Sequence, residues 1–427
     1  MSSEQTENPI AASSTKDNQK YNTVDAANSG NDNVEEGRNA YHPGGFHPVY
    51  IDDVYGGKYQ VMNKLGYGRY STVWLVKDLS CGPDDEDKYR ALKILSAECY
   101  GQDHPIFERE ILRHLRDEGD HNLAGYKYVC HLVDDFEHQG PNGSHVCLVF
   151  ELMGETLRSF GLWFRECMVP TTVMRKFSWQ LVCALELAHN SGIIHTDIKP
   201  DNIFVKVLDK SRIESEYFVK EVIPQQDRTE EHYTPIPSSS LRRYYFGADA
   251  KQLDNLNIAL GDWGVASWTT KHLTENIQPV ALRAPEVLIK ACWDARVDFW
   301  NLGAVLYEVY RAIRLFSGRV GDHYELREHL GEIVDVFGPF PKDLLEKGDP
   351  EIVKSMFNEE GKIDLEEPFD RPPLESDLFL PNLDPETREV FASFLRFVMK
   401  INPEERPTPD EMVEHPWLTP KRVLKGP

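Results

Sequence analysis

The spacing of apolar residues changes twice along this 427-residue chain. Residues 1–40 are Ser, Asn, Asp, Glu, Thr and Gln with almost no large apolar side chains. They cannot bury enough surface to offset the entropy of ordering, which predicts a disordered N-terminal tail. Aromatics and turn residues arrive with YHPGGFHPVYIDDVYGGKYQV, and order is predicted from Tyr41. From Tyr59 the pattern is strand-like: YQVMNKL, STVWLVKD and YRALKIL alternate or cluster β-branched and aromatic residues between turns. Residues 104–116, HPIFEREILRHLR, place Ile106, Phe107, Ile111, Leu112 and Leu115 on one side of a helix. VCHLVDDFEH and HVCLVFELM are two more strands, joined by the turn QGPNGS. Residues 41–153 thus read as a five-stranded unit with one main helix.

After Gly154 the period turns helical. VMRKFSWQLVCALELAHNSG is a long amphipathic helix with Gly192 as its stop, and further helical patterns cover 296–314, 322–337 and 386–400. This larger helical part spans 154–420, with a short tail at 421–427. Residues 206–258 interrupt it: they are polar, with Pro224, Pro235, Pro237 and the run Ser238–Ser240. Loops beyond about 12–15 residues tend to be functional or disordered. The segment is read as an insertion with a short strand or helix near FVKEVIP. A small β-rich lobe before a larger helical one, with polar motifs at their boundary, is a two-lobed α+β arrangement.

Composition narrows the function. With 41% hydrophobic and 11% aromatic residues the chain can bury a large core. No apolar run is long enough to span a membrane, and the first 20 residues lack the apolar stretch of a secretory signal. The seven cysteines (81, 99, 130, 147, 167, 183 and 292) form no C-x-x-C pair and read as reduced, intracellular thiols. The net charge of −23 repels nucleic acid and anionic membranes and favours basic partners. Neither direct nucleic-acid binding nor membrane attachment is expected, and the chain is expected to be a monomer.

The chemistry-bearing residues fall in a fixed order. Gly66-Tyr67-Gly68-Arg69-Tyr70-Ser71-Thr72-Val73 lies between two strand patterns, where glycines let a hairpin backbone approach phosphate oxygens. Lys93 sits inside the apolar run RALKIL and must snorkel or find an anion. The helix that follows offers Glu110 as a counter-charge, with Glu108 as its rival. His195, Asp197, Lys199 and Asn202 are set between short apolar runs, a mixture suited to a catalytic loop. Asp262-Trp263-Gly264 follows IALG, and Ala284-Pro285-Glu286, Asp298 and Arg406 come later. Taken singly, each has an ordinary reading: a hairpin turn, an edge lysine reaching solvent, a helix start with Pro at its first position.

Together they resemble the eukaryotic protein kinases, over roughly residues 55–420. The resemblance implies a bilobal protein-kinase fold with a small five-stranded antiparallel N-lobe, one main helix and a larger helical C-lobe. It implies serine/threonine kinase activity with ATP and Mg2+. Asp197 would accept the proton of the substrate hydroxyl, Lys199 would balance charge on the phosphoryl group in flight, and Asn202 and Asp262 would hold the metal. Lys93 would meet the α- and β-phosphates, oriented by Glu110, which fits the family better than Glu108 because apolar Ile111 and Leu112 directly follow it. The nucleotide would lie against Leu65, Gly66, Tyr67, Gly68, Ser71, Val73 and Ala91, with backbone groups of Glu151 and Met153 at the adenine. Glu286 would pair with Arg406, and Asp298 would anchor the catalytic loop. Ser71 stands where the family has a third glycine, Trp263 where it has Phe, and Thr196 where it has Arg.

Thr196, the G-x-G-x-x-S loop, the opening GGF…V…D…G-Y and the insertion resemble the SR-protein kinases (SRPK) of the CMGC group, and Arg283 before Ala284 suits that group. Asp262-Trp263-Gly264 and Ala284-Pro285-Glu286 depart from the D-L-G and S-L-E common in SRPKs, and their insertion lies elsewhere and is larger. Membership implies basic, Arg-Ser-rich protein substrates and residence in cytoplasm and nucleus. Glu325, Glu328, Glu332 and Asp335 recur at helical spacing opposite Leu326, Leu330, Ile333, Val334 and Phe337, a carboxylate stripe suited to docking arginines. Thr196 cannot receive an activation-loop phosphate as an Arg does, so activity without such phosphorylation is expected. Two alternatives stay open. REHLGEIVDVFG partly resembles the signature of LAMMER-type kinases, and a pseudokinase scaffold is opposed by the presence of Lys93, Asp197, Asn202 and Asp262.

Overall fold

The structure, a computed structural model, describes residues 35–100, 106–247, 250–320, 323–365, 369 and 371–419. The expected disordered tail up to residue 34 and the C-terminal tail lie outside the described residues. The sheet of the small lobe is antiparallel in the order β1-β2-β3-β4-β6-β5. Its strands are β1 (Val54–Tyr55), β2 (Tyr59–Tyr67), β3 (Ser71–Asp78), β4 (Tyr89–Leu95), β5 (Leu132–Gly140) and β6 (Gly143–Phe150). Six strands replace the expected five. The extra one, β1, pairs only Val54 with Gln60 and Tyr55 with Tyr59, too short for alternation to reveal it. Helix α1 (Glu108–Asp117) packs Ile111, Leu112 and Leu115 inward, and Ile106 and Phe107 precede it.

The large lobe begins where β7 (Met153–Thr156) leaves the hinge. β7 pairs with β9 (Ile203–Lys206), which pairs with β10 (Ile258–Leu260), and β8 (Ile193–Ile194) pairs with β11 (Ser267–Trp268). These short strands carry the polar motifs at their ends. Behind them stand α2 (Leu157–Phe160) and α3 (Thr171–Asn190). Gly192 follows α3 with φ 72, the left-handed conformation a helix stop requires. The segment between β9 and β10 holds α4 (Phe218–Lys220) and α5 (Ala250–Leu253). Further on come α6 (Pro285–Leu288), α7 (Val297–Arg311) and α8 (Leu326–Phe337). From Val297 to Tyr310 every residue of α7 is buried, so this helix is the axis of the large lobe. Among the described residues no helix is long and apolar enough to cross a membrane.

The segment between β9 and β10, read from its composition as a polar insertion, is packed. Ile213, Tyr217, Leu241 and Tyr244 form a buried cluster with Leu75, Tyr89 and Leu152. Ile236 joins Val49, Tyr59 and Trp74 in the core of the small lobe. Near FVKEVIP the chain is a π-turn (Ile213–Tyr217) followed by α4. A charged contact holds it to the start of the described chain. Lys64 is fully buried, with Nζ 2.8 Å from Glu35 Oε2 and 2.5 Å from Glu36 Oε2. Ile236 contributes its carbonyl at 3.1 Å.

Two buried contacts of carboxylates brace the large lobe. Glu286 on α6 and Arg406 are fully buried and bidentate at 2.6 and 2.7 Å, and Arg406 also donates to the Lys400 and Arg296 carbonyls. The Asp298 carboxylate, also fully buried, lies 2.9 Å from His189 Nε2. Removing one partner of a buried pair leaves an uncompensated charge, at a cost of about 3–5 kcal/mol. Arg406→Met should therefore lower the free energy of unfolding by that amount, read as a lower guanidinium midpoint. Arg406→Lys should not restore it, because one ammonium cannot match both carboxylate oxygens. An unchanged midpoint in Arg406→Met would contradict this role.

Candidate active site

The loop between β8 and β9 carries His195, Asp197, Lys199 and Asn202. Its shape is set from below. Asp298 Oδ2 accepts the N–H of His195 at 2.8 Å and Oδ1 that of Thr196 at 3.0 Å. Thr196 has φ 64, an uncommon conformation for a β-branched residue. Its hydroxyl donates to the Val265 carbonyl at 2.7 Å. Such strain persists where the surroundings over-determine it, and the two ends of Thr196 are fixed by different segments. Asp197 is thereby held beside Lys199, whose Nζ is 2.7 Å from Oδ2. Asn202 donates to the Asp197 carbonyl at 2.8 Å and to Oδ2 at 2.9 Å. With its amide hydrogens so engaged, the side-chain oxygen of Asn202 is the atom left for a cation.

Asp262 follows β10 and also has positive φ, 59. The His195 ring packs on Trp263 with centroids 4.6 Å apart, and His195 Nε2 is 3.0 Å from the Gly261 carbonyl. Trp263 is fully buried, so its larger ring fills the place of the expected packing aromatic. Lys93 on β4 reaches across to Asp262 Oδ1 at 3.0 Å and to Glu108 Oε1 at 2.7 Å. Burial works against the Lys93 charge, yet Asp262 and Glu108 outweigh it and hold the ammonium above the usual lysine range. The ammonium of Lys93 in turn holds the Asp262 carboxyl below the usual carboxylate range.

Glu108, and not Glu110, is the partner of Lys93. Glu110 is exposed and only approaches the Tyr100 hydroxyl at 3.5 Å. The reason is helical phase. Glu108, Ile111, Leu112 and Leu115 are spaced 0, 3, 4 and 7 and share the buried face. Glu110 is adjacent to Ile111 in sequence but turned about 100° away from it. The phase of the apolar stripe, rather than adjacency, was the signal that identified the acid.

Above Asp262 the β2–β3 hairpin forms the roof. Gly66 pairs with Val73 and Tyr67 with Thr72, and the Gly68 N–H donates to the Ser71 carbonyl at 2.8 Å. A Cβ on Gly66 would meet nothing within 4 Å, and one on Gly68 only Ser71 Oγ at 3.7 Å. The glycines leave bare backbone facing open space, which fits a phosphate chain. Leu65, Val73 and Ala91 are half-buried, Ser71 is buried and Tyr67 exposed. At the hinge the Glu151 side chain bonds Lys206 at 2.9 Å. Gly154 lies against the Tyr245 ring, where a Cβ would come within 2.4 Å, so the insertion covers the end of the hinge.

A lysine bridging a helix carboxylate and a strand-end aspartate, above a loop Asp–Lys–Asn cluster, is the arrangement phosphoryl transfer requires. The protein kinase domain family matches residues 59–235 and 249–418. The chain belongs to the protein kinase family. A serine/threonine protein kinase of Aspergillus fumigatus is 31% identical, with 90% of each chain covered. The serine/threonine-protein kinase SRPK of Physarum polycephalum is 28% identical over 91% of this chain and 92% of its own. Human SRSF protein kinase 3 is 24% identical over 91% of each. The kinase is an ATP-dependent serine/threonine enzyme of SRPK-like type, and kinases of this domain typically use a divalent metal. Among the described residues no three His, Cys, Asp or Glu side chains are arranged to hold a metal by themselves. Asp262 and the Asn202 oxygen are oxygen donors of the kind a hard cation takes, with the nucleotide's own phosphates completing its shell.

The carboxylate stripe of this kinase is interrupted. Glu325 and Asp335 are exposed and Glu328 half-buried, but Glu332 is buried. Glu332 accepts the N–H groups of Ser317 and Gly318 at 2.7 and 2.8 Å and pairs with Arg371 at 2.8 Å. Helix α8 buries a wider arc than the apolar residues alone marked, taking in His329, Glu332 and Val336. Glu332 is therefore a brace of the preceding turn and not a docking residue. The sequence reading also missed Lys64 and Arg158, whose charged partners lie far away along the chain and leave no local signal.

The assignment of Glu108 gives opposite expectations for two neighbouring acids. A charge-assisted hydrogen bond is worth about 1.5–3 kcal/mol, so Glu108→Gln should lower kcat/KM by about 10- to 100-fold. Glu110→Gln, an exposed change, should stay within about twofold. Steady-state kinetics on one peptide decides, and a larger loss for Glu110→Gln would reverse the assignment.

Proposed function

We propose that this kinase transfers the γ-phosphate of ATP to serine in basic, Arg-Ser-rich protein substrates. The observation that carries the proposal is its likeness along most of its length to SRPK-type enzymes, joined to a net charge of −23 that draws basic chains. The Asp197 carboxylate orients the serine hydroxyl and takes its proton. Lys199, already 2.7 Å from its Oδ2, offsets charge as the phosphoryl group moves. Lys93, positioned by Glu108, fixes the nucleotide phosphates beneath Gly66–Val73. Asp262 and Asn202 would hold Mg2+, which when bound supplies neutralisation of the phosphate charge. The work of these residues is placement and electrostatics, with no covalent intermediate.

Docking of arginines falls to the part of the stripe that reaches solvent, the exposed Glu325 and Asp335 and the half-buried Glu328. A panel of Arg-Ser, Ser-Pro and acidic peptides should show highest kcat/KM for Arg-Ser, with Asp197→Ala as the inactive control. Glu325→Lys with Glu328→Lys should raise KM for the Arg-Ser peptide and leave kcat unchanged. Equal use of all three peptides would refute the substrate class, and an unchanged KM would refute the docking surface.

We propose further that activity needs no activation-segment phosphate. The supporting contacts are neutral. Thr269 N–H donates to the Gly192 carbonyl at 2.9 Å, next to the β8–β11 pairing. Gln278 accepts the Ala284 N–H at 2.8 Å and donates to Asn301 at 3.0 Å. Thr196 is engaged with Val265. Enzyme made in bacteria, and verified unphosphorylated by mass spectrometry, should already be active. Activity that appears only after treatment with a second kinase would overturn this.

A further inference from the structure

Three histidines that take no part in phosphoryl transfer meet on the small lobe. His138 on β5 and His145 on β6 are directly opposed across their hairpin, and His47 comes from the segment that leads into β1. The His47 ring lies 4.6 Å from that of His138 and 5.0 Å from that of His145, centroid to centroid. His47 and His145 are buried and His138 is half-buried.

The packing leaves no place for an added proton. His145 Nδ1 is 2.8 Å from the Leu95 carbonyl, which can only accept, so Nδ1 carries the hydrogen and Nε2 is the bare nitrogen. That Nε2 is buried without a hydrogen-bond partner among the described residues, and so is His47 Nδ1. His47 Nε2 is 3.0 Å from the Tyr55 hydroxyl, while Nδ1 is pressed against Gly140 so closely that a Cβ there would collide with it. A second proton on either ring would be a buried donor with no acceptor, beside two other imidazoles. Burial pushes His47 down to about 3 and holds His138 and His145 below the usual histidine range. The surroundings offer little compensation. Asp53 favours charge on His138 and is itself paired with Arg228. Tyr55 and Cys147 are held above their usual ranges by burial and stay neutral, Glu98 meets the segment through its backbone N–H, and His42 is exposed.

The segment held by His47 supports two catalytic elements. Gly44 donates to the Asn142 carbonyl at 2.7 Å, and Asn142 Nδ2 to the Phe46 carbonyl at 2.6 Å. The N–H groups of Ala97 and Glu98, just past β4, donate to the Gly45 and Gly44 carbonyls at 3.1 and 2.8 Å. The Tyr100 hydroxyl then accepts the N–H of Arg109, the residue after Glu108, at 2.9 Å. The end of the strand bearing Lys93 and the start of the helix bearing Glu108 are thus clasped by residues 44–47.

We propose that His47, His138 and His145 form an acid-released latch, which holds residues 44–49 on the β5–β6 hairpin while neutral and frees them, with the support of Lys93 and Glu108, when it takes up protons. The closed rings bind protons less well than free histidine, whose value is about 6.5. The latch therefore stabilises fully above that value, and its contribution is lost progressively as pH falls below it. This holds whatever protein the kinase phosphorylates.

The test is hydrogen exchange by mass spectrometry on the full-length enzyme, corrected for the intrinsic pH dependence of amide exchange. One pH unit below the free histidine value, each ring kept neutral by closure favours opening by about tenfold. Between about pH 7.5 and pH 5.5, residues 44–49 should therefore lose about tenfold or more of their protection while α7 keeps its own. His47→Gln with His145→Asn should abolish the change, because these amides can still reach the Tyr55 hydroxyl and the Leu95 carbonyl but do not titrate. The ratio of wild-type to variant kcat/KM, which cancels any acid dependence the two share, should fall over the same interval. Wild-type protection that ignores pH, an equal loss in the variant, or a constant activity ratio would overturn the proposal. Should the variant be open at every pH, histidine NMR on the wild type decides. His47 and His145 should gain their protons together with opening, and titration of either while residues 44–49 stay protected would overturn the latch.

Discussion

A lysine ammonium buried between two lobes must be surrounded by anions, and that requirement organises this kinase. Lys93 sits on a strand whose neighbours are apolar, with its side chain only 15% exposed. Glu108 comes from a helix and Asp262 from the far lobe, so satisfying one charge fixes three elements at once. Their mutual attraction is strong where water is scarce, and each member alone would be costly to bury. The same three groups define where a phosphate chain can lie.

The catalytic loop is held by a different means. Asp298 stands on the most deeply buried helix of the protein and receives two successive backbone N–H groups from His195 and Thr196. Those bonds stabilise a backbone conformation that Thr196 would otherwise avoid. The hydroxyl of Thr196 then ties the loop to the segment after Asp262. Placement of Asp197 is in this way coupled to placement of Asp262, through the hydrogen bonds of the Asp298 carboxylate and of the Thr196 hydroxyl.

The insertion adds a third layer. It joins the apolar clusters of the small lobe and lies against the hinge through Tyr245, whose hydroxyl donates to Glu155 at 2.8 Å. Lys64, one residue before Leu65, is closed in by Glu35, Glu36 and the insertion's Ile236 carbonyl. The strand leading to the phosphate-facing hairpin is thus braced by segments on both sides of it in sequence. A polar composition concealed this packing because its aromatic anchors (Tyr217, Tyr244, Tyr245 and Phe246) are spread among Pro, Ser and charged residues.

Sequence alone determined the order of elements, the strand-rich and helical halves, and which polar residues stand on the loops and strands at their boundary. Those readings depend on local spacing, which the backbone translates directly into position on one loop or strand. The pairing of Glu286 with Arg406 and the anchoring by Asp298 were legible from the order of motifs and are present in the structure. What only the tertiary structure decided were partners across the chain. Glu108 replaced Glu110 because helical phase outranks adjacency, and Glu332 left the docking stripe because Ser317, Gly318 and Arg371 converge on it. Arg158 found its acids 43 and 150 residues away. A buried charge takes whatever partner the packed core brings to it, and packing is a property of the whole chain.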